Sequence, residues 1–378
     1  MTQAVGSARV AALPRSENSI PLDFVILARN EAESLARTLG ALGGLLAPGD
    51  TIHVVADHCT DDTAQIAARH GARVHIRQGA CVPGKGFALS WWLRRTAGGT
   101  GERVVVVLDA DSRTHPEFAN VIRDEFARGA IAVQGFVQPL AAGDPLSQVA
   151  ALSDMIEQRL YNRLRSALGW PVRLRGTGMA ISAPVLRQAA QDLQTCVEDA
   201  ELTVLLAANH IPIRFVPRAV VFDPKPDSTT AARIQRARWL RGEGQLIRRR
   251  YTELIRLVLR GPAGWSLLSS ILLKPRVFFV PVKVLLAGAA LSAAVHRGDA
   301  TWLLAGTLMA VAMTEIVTTA MGLWAFLGPK RGARLAVQIP RYLALWIRSA
   351  VVAVTSDGSW VRTPRWVPEE PLRGWIVD

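Results

Sequence analysis

The sequence predicts an α/β fold, with a mostly parallel sheet covered by helices on both faces, followed by a membrane-associated C-terminal region. Two observations carry this prediction. Short β-like runs alternate with helical stretches from Asp23 onwards, and long apolar stretches follow after about residue 260. Alternating strands and helices are typical of parallel sheets with crossover helices. Such sheets bind ligands at the carboxyl ends of their strands, so functional residues are expected there.

The predicted elements follow one another in a regular order. Four runs have the apolar, β-branched composition of buried strands: DFVILA (23–28), TIHVVA (51–56), RVHIR (73–77) and VVVVLD (104–109). Helical periodicity falls around residues 31–43, 61–69, 85–95 and 116–128. We expect this domain to span residues 21–260. Residues 1–20 lack the apolar core of a signal peptide and are expected to form a flexible tail.

The C-terminal part, residues 261–378, is predicted to associate with a membrane. Residues 277–295 and 301–327 are apolar and long enough to cross a hydrocarbon core of about 30 Å. Each contains one ionisable residue, Lys283 or Glu315, and buried helices of a soluble domain are the alternative. Basic residues lie before the first stretch and after the second: Arg248, Arg249, Arg250, Arg256, Arg260, Lys330, Arg331 and Arg334. The positive-inside rule therefore places both ends of a multi-pass inner-membrane protein in the cytoplasm.

Residues 335–355 have a different pattern. Arg334, Arg341 and Arg348 recur every seven positions and share one helical face, opposite apolar residues. This pattern predicts an amphipathic helix that lies in the membrane interface, and a third span with snorkelling arginines is the alternative.

The composition favours a membrane enzyme over a nucleic-acid-binding protein. Lys and Arg number 44 against 31 Asp and Glu, which gives a net charge of +13, while 50% of the residues are hydrophobic. Much of the positive charge lies near the apolar stretches, and aromatic residues do not form a base-stacking platform. We therefore expect no nucleic-acid partner.

Acidic residues follow two of the predicted strands. Asp57 ends the second strand and could accept hydrogen bonds from a base or ribose, although acidic turns before helices are common as caps. Asp109 and Asp111, in DADS, end the most apolar strand, where buried carboxylates need neutralisation. Mg²⁺ or Mn²⁺ bridging Asp111 to a diphosphate would provide it, and helix capping is the alternative.

Four further segments carry candidate residues. VED (197–199) precedes a helix, so Glu198 and Asp199 are candidates for chemistry or for stabilising the helix dipole. In QRARW, Arg238 could neutralise a phosphate and Trp239 could stack on a sugar. GKGFAL offers Lys85 as a phosphate or base contact, and the glycines of RGTGMAIS allow close approach to a ligand. The sequence contains no Walker A motif and no GxGxxG motif after a strand.

The order of these motifs from Leu22 to Trp239 resembles that of the family-2 glycosyltransferases with a GT-A fold, and SWVRTPR (359–365) resembles a closing signature of membrane-bound members. The resemblance implies that Asp57 holds uracil and that Lys85 contacts the nucleotide. It implies that Asp109 contacts the ribose, and that Asp109 and Asp111 together bind the metal ion that is associated with the diphosphate. Asp199 matches the general base, and Glu198 precedes it in the ED pair. The residues that match the motif binding the diphosphate and positioning the acceptor are Gln235, Arg238 and Trp239. Those that match the lining of the acceptor channel are Gly176, Thr177 and Gly178.

The chain departs from the family pattern at three positions. Ala56 stands where a first aspartate is common, His58 replaces a usual glycine, and Val197 replaces a common threonine. These departures leave the implied chemistry intact but weaken the assignment of the nucleotide.

The resemblance implies an inverting, metal-dependent transfer of a hexose-type sugar from a nucleotide-diphosphate sugar, with UDP favoured. We expect the acceptor to be a growing polysaccharide, which would need an export partner or a homo-oligomer. Transfer of one sugar to a lipid or lipid-linked acceptor is the alternative. A further alternative is a membrane scaffold that binds nucleotide sugars without turnover. The presence of Asp109, Asp111 and Asp199 disfavours this alternative.

Overall fold

The structure is a computed structural model that describes residues 20–96, 102–140, 144–191, 193–274, 279–297 and 301–355. Residues 1–19 of the predicted tail and the SWVRTPR segment lie outside the described residues.

Within the described residues, eight strands form one mixed sheet in the order β3-β2-β1-β4-β7-β6-β8-β5. The strands are β1 (Leu22–Ala28), β2 (Thr51–Asp57), β3 (Arg73–Arg77), β4 (Val104–Leu108), β5 (Arg113–Thr114), β6 (Ala132–Leu140), β7 (Met179–Ser182) and β8 (Ile213–Pro224). The first four are parallel, as the alternating sequence predicts. β7 runs antiparallel between β4 and β6, and β5 runs antiparallel to β8. The sheet therefore changes direction beyond β4.

Helices cover both faces of the sheet and continue past it. They are α1 (Ala32–Gly43), α2 (Thr63–Arg69), α3 (Lys85–Arg95), α4 (Phe118–Ala127), α5 (Pro145–Ile156), α6 (Arg163–Ala167), α7 (Ala183–Ala189), α8 (Glu198–Ala208), α9 (Thr229–Arg249), α10 (Tyr251–Val258), α11 (Pro262–Leu272), α12 (Val280–Arg297), α13 (Thr301–Ala336) and α14 (Ile339–Thr355). A π-helical turn, Glu157–Asn162, joins α5 to α6. The first four helices lie where the periodicity predicts them.

Alternating residues of β1 belong to two separate cores. Phe24 and Ile26 pack with α1 and α4 on one face of the sheet. Val25 and Leu27 pack with α3, α7 and α8 on the other. Because neighbouring residues of a strand point to opposite faces, a strand covered on both sides is apolar throughout. All five residues of β4 are buried for this reason.

The helices after the sheet are anchored to it. α10 and α11 pack with α8 through Leu257, Leu267 and Ile271. The predicted domain boundary at residue 260 is not tested by this packing and stays a prediction. α14 packs on α9, where the Arg236 guanidinium lies 5.2 Å from the Tyr342 ring centre and 5.5 Å from that of Trp346. The face of α14 with Arg341 and Arg348 is exposed.

By length and composition, one helix of the described chain could cross a membrane, namely α13. Gly328, with φ of +71°, breaks its backbone just before Pro329, so the continuous helical part ends at Leu327. The apolar stretch of α12, Val280–His296, is shorter, and two residues of the predicted 277–295 span lie outside the described residues. Two predicted spans are therefore reduced to one candidate.

α12 and α13 pack as a pair around a partly buried ion pair. Both carboxylate oxygens of Glu315 lie 2.7 Å from Lys283 Nζ. The outer faces of the two helices are apolar and exposed, with Leu285 at 73% exposure. An apolar surface of this kind on a soluble protein marks a membrane or partner contact.

We expect the substitution Lys283→Met to destabilise the protein by about 3 kcal/mol, because it leaves the buried Glu315 carboxylate without a counter-charge. Thermal unfolding of the full chain in detergent measures the change. The double variant Lys283→Met with Glu315→Gln should recover most of the loss. Equal unfolding temperatures for the single and double variants would contradict this account of the pair.

Candidate active site

A small recess lies at the carboxyl ends of β1, β2 and β4. It brings together five residues that the sequence predicts to be functional: Asp57, Lys85, Asp109, Asp111 and Arg238. Arg29 and Glu31, in the loop after β1, also line it, and sequence reasoning missed both. Their position directly after a buried parallel strand was the available signal.

The Asp57 carboxylate is held in place by its neighbours. Arg77 Nη1 and His58 Nδ1 both contact Oδ1, the latter at 2.8 Å, and the Gly84 amide donates to Oδ2 at 2.8 Å. His58 has φ of +54°, in the left-handed region that favours glycine. His58, which replaces the usual glycine of the family, therefore has a strained backbone, and its ring contacts Asp57, the predicted base-binding residue.

Three carboxylates meet beside the recess. Oxygen atoms of Asp109, Asp111 and Asp223 all lie within 4.8 Å of one another. Asp223 is near the end of β8, and the antiparallel pairing of β8 with β5 carries it to the turn after β4. Lys85 Nζ forms an ion pair with Asp109. Three clustered carboxylates offer the hard oxygen ligands that Mg²⁺ and Mn²⁺ prefer.

Sequence reasoning missed Asp223 although the residue lies in a strand end, FDP. Its relation to Asp109 depends on a two-residue strand, β5, which periodicity cannot detect.

Thr177 links the turn after β4 to the glycine-rich segment before β7. Its hydroxyl accepts from the Asp109 amide at 3.2 Å and lies 2.9 Å from Ser112 Oγ. Gly178, also predicted to contact substrate, lies outside the recess and the neighbouring cavity. A Cβ atom on it would be 2.9 Å from Val221 Cγ2, so close packing inside the sheet accounts for this glycine.

Glu198 and Asp199 form the first turn of α8, beside Gly176. A Cβ atom at Gly176 would lie 3.7 Å from Glu198 Oε1 and 3.9 Å from Asp199 Oδ2, so the loop passes close over both carboxylates. Burial raises the pKa of Glu198 to about 7, with Lys85 opposing the rise and Asp199 adding to it. Asp199 Oδ2 lies 3.9 Å from Arg173 Nη2.

α9 crosses the start of α8 at close range. A Cβ atom on Gly242 would lie 2.5 Å from Val197 Cγ1 and 2.9 Å from Cys196 Sγ. The Cys196 amide donates to Gln245 Oε1 at 3.1 Å. This contact fixes the QRARW segment of α9 relative to the ED pair.

A cavity of about 580 Å³ joins these parts. Its lining includes nine of the predicted site residues, all but Asp57, Asp111 and Gly178: Lys85, Asp109, Gly176, Thr177, Glu198, Asp199, Gln235, Arg238 and Trp239. Asp223, from the missed strand end, also lines it. Residues of α5, α13 and α14 also line the cavity, among them Leu323, Leu345 and Trp346.

Two family descriptions match the sequence. Residues 104–326 match "Glycosyl transferase family group 2", and residues 23–175 match "Glycosyl transferase family 2". No curated protein matches the chain.

Among solved structures, the chain is similar to the mannosyltransferase PcManGT from Pyrobaculum calidifontis, solved in complex with GDP-Man and Mn²⁺. The two are 17% identical with a TM-score of 0.50, over 88% of this chain and 87% of that one. The chain is also similar to glucosyl-3-phosphoglycerate synthase from Mycobacterium tuberculosis, with 24% identity, a TM-score of 0.37, and 53% and 70% coverage of this chain and that one. The likeness to PcManGT is one of fold, and it agrees with the predicted α/β class.

We expect Gly242→Ala to lower the free energy of unfolding by about 1–3 kcal/mol, because the added methyl group overpacks against Val197 and Cys196. Gly244→Ala is the matched control on the same helix, since a Cβ atom there meets no atom within 4 Å. That control should stabilise the protein by up to about 1 kcal/mol through helix propensity. Thermal unfolding of both variants measures the difference, and equal effects would show that the close approach of α9 is not needed.

Proposed function

The chain belongs to glycosyl transferase family group 2, and from that premise we propose that it transfers a hexose-type sugar, with inversion, from a nucleotide-diphosphate sugar to an acceptor at a membrane. The observation that carries the proposal is the single cavity that contains both Asp109 and Asp199. A donor bound at the strand ends and an acceptor bound beside Asp199 would share one enclosed space.

The recess is the proposed donor site. Asp57 would accept a hydrogen bond from the base, with Arg77 and His58 fixing its carboxylate. Lys85 and Arg238 would contact the diphosphate, since both line the recess. The sequence favours UDP, while PcManGT is in complex with GDP-Man. Both uridine and guanosine donors therefore belong in a test.

Asp109, Asp111 and Asp223 are proposed to hold Mg²⁺ or Mn²⁺, because their oxygen atoms converge and carboxylate oxygens are the ligands that these ions prefer. When bound, the ion supplies positive charge for the leaving diphosphate. Thr177 keeps the Asp109 turn in place by accepting its amide hydrogen.

Asp199 is the proposed general base. An acceptor hydroxyl has a pKa far above 7, so a carboxylate must take its proton while the new bond to the anomeric carbon forms. Arg238 would stabilise the negative charge on the departing diphosphate. One in-line displacement inverts the anomeric centre, so an α-linked donor would give a β-linked product.

The cavity lining supports a lipid or lipid-linked acceptor over a growing polysaccharide. Apolar side chains of α13 and α14, among them Leu323, Leu345 and Trp346, line the same cavity as Asp199. The exposed apolar faces of α12 and α13 support insertion of these helices into a membrane. With the basic face of α14 exposed as well, we propose that the catalytic domain lies on the cytoplasmic side of the inner membrane.

The test uses the full chain in detergent with membrane lipids, a panel of UDP- and GDP-sugars, and Mn²⁺ or Mg²⁺. We expect nucleoside diphosphate release from one donor, with strict dependence on the metal. Asp199→Asn should lower the rate at least 100-fold through loss of the base, a magnitude typical of general-base catalysis.

The matched control is Asp124→Asn, an exposed residue of α4, which should release product at the wild-type rate. Donor binding measured in parallel separates loss of chemistry from loss of the site. Donor binding without release from any sugar nucleotide, in the wild type, would contradict transfer and favour a nucleotide-sugar-binding scaffold.

A further inference from the structure

Four cationic side chains line the cavity on the side of Asp199: Arg173, Arg175, Lys225 and Lys274. They come from the segment before β7, the residue after β8 and the segment just after α11. Arg173 is buried, the other three are half-buried, and all four line the cavity. Burying positive charge at this density is costly unless anions compensate for it.

Two of these cations are already compensated. Asp154, on α5, lies 2.6 Å from both Arg175 Nη2 and Lys225 Nζ, and Lys225 also lies 3.1 Å from Asp223. Burial opposes ionisation of Asp154, but the charges of Lys225 and Arg175 outweigh it and hold its pKa below the usual range. This group forms a closed network.

Arg173 and Lys274 are compensated less well. Arg173 is 8% exposed; its Nη1 donates to the Ser270 carbonyl at 2.9 Å, while its buried Nε has no hydrogen-bond partner. Within the described part of the chain, no carboxylate lies within ion-pair distance of Lys274. Both side chains line the cavity.

The electrostatics of Lys274 agree with this geometry. Burial, reinforced by the positive charges of Arg173 and Arg175, lowers its pKa to about 7, against the opposing charges of Glu243 and Asp154. The opposing carboxylates are therefore too weak to offset burial and the neighbouring cations. An anion between Arg173 and Lys274 would favour the charged ammonium.

We propose that Arg173 and Lys274 bind an anionic group of the acceptor, a phosphate, next to Asp199. This inference rests on the proposed function, since it assumes that the acceptor lies beside Asp199. Arg173, 3.9 Å from Asp199, would then screen the general base from the bound phosphate. Lys85 and Arg238, which line the recess at the strand ends, are left for the donor diphosphate.

The test measures binding by the full chain in detergent, with the donor site filled by saturating nucleoside diphosphate and Mn²⁺. The probes are inorganic phosphate, hexyl phosphate and uncharged 1-hexanol, and titration calorimetry gives each Kd. We expect hexyl phosphate to bind and 1-hexanol not to bind. The substitution Lys274→Met should weaken the binding of hexyl phosphate at least tenfold and leave the binding of nucleoside diphosphate unchanged.

Lys274→Arg keeps the charge and should bind hexyl phosphate within about threefold of the wild type, which separates charge from folding defects. Lys330→Met, at an exposed position after the break in α13, is the matched control and should have no effect. If hexyl phosphate binds at least tenfold more tightly than inorganic phosphate, the acceptor is a lipid phosphate. Equal affinities would indicate a soluble phosphorylated acceptor.

Equal affinity of the wild type and Lys274→Met for hexyl phosphate would overturn the inference. So would a wild-type protein that binds nucleoside diphosphate with Mn²⁺ but binds neither hexyl phosphate nor inorganic phosphate. If the wild type fails to bind nucleoside diphosphate, the proposed function itself fails. The two failures are therefore distinguishable.

Discussion

The convergence of Asp109, Asp111 and Asp223 within 4.8 Å is the constraint on which the site depends. Like charges at this distance repel, so neighbouring groups must offset them. Lys85 forms an ion pair with Asp109, and Lys225 lies 3.1 Å from Asp223. Thr177 holds the turn of Asp109 in place by accepting its amide hydrogen. The mixed sheet beyond β4 serves the same cluster, because β8 pairs with both β6 and β5, and its pairing with β5 brings Asp223 to the turn after β4.

A second constraint couples the site to the C-terminal helices. Gly242 lets α9 approach Val197 at the start of α8, so the positions of Asp199 and Arg238 depend on one another. The same helix supports α14, through Arg236 packed against Tyr342 and Trp346. Helix α9 thus connects the sheet domain to the apolar wall of the cavity, and a shift of α14 would change the shape of that cavity.

Much of the fold follows from local patterns in the sequence. β1 to β4 and the helices between them are predictable because both faces of the sheet are covered, which makes the strands continuously apolar. Local patterns cannot place Asp223, because its neighbours in space are far away in the chain and meet it through a two-residue strand. The family resemblance assigns Gly178 to the acceptor channel, which stays a prediction, while close packing against Val221 gives this glycine a structural role. Local patterns also cannot predict that Arg173 and Lys274 line the same cavity, because the two residues come from separate parts of the chain.

The most direct test of the account is the position of Mn²⁺ in a crystal structure of the full chain with nucleoside diphosphate, located by its anomalous scattering. The account predicts one ion coordinated by carboxylate oxygens of Asp109, Asp111 and Asp223, with the diphosphate between the ion and Arg238. A diphosphate bound outside the recess, or Mn²⁺ bound away from these three carboxylates, would contradict it.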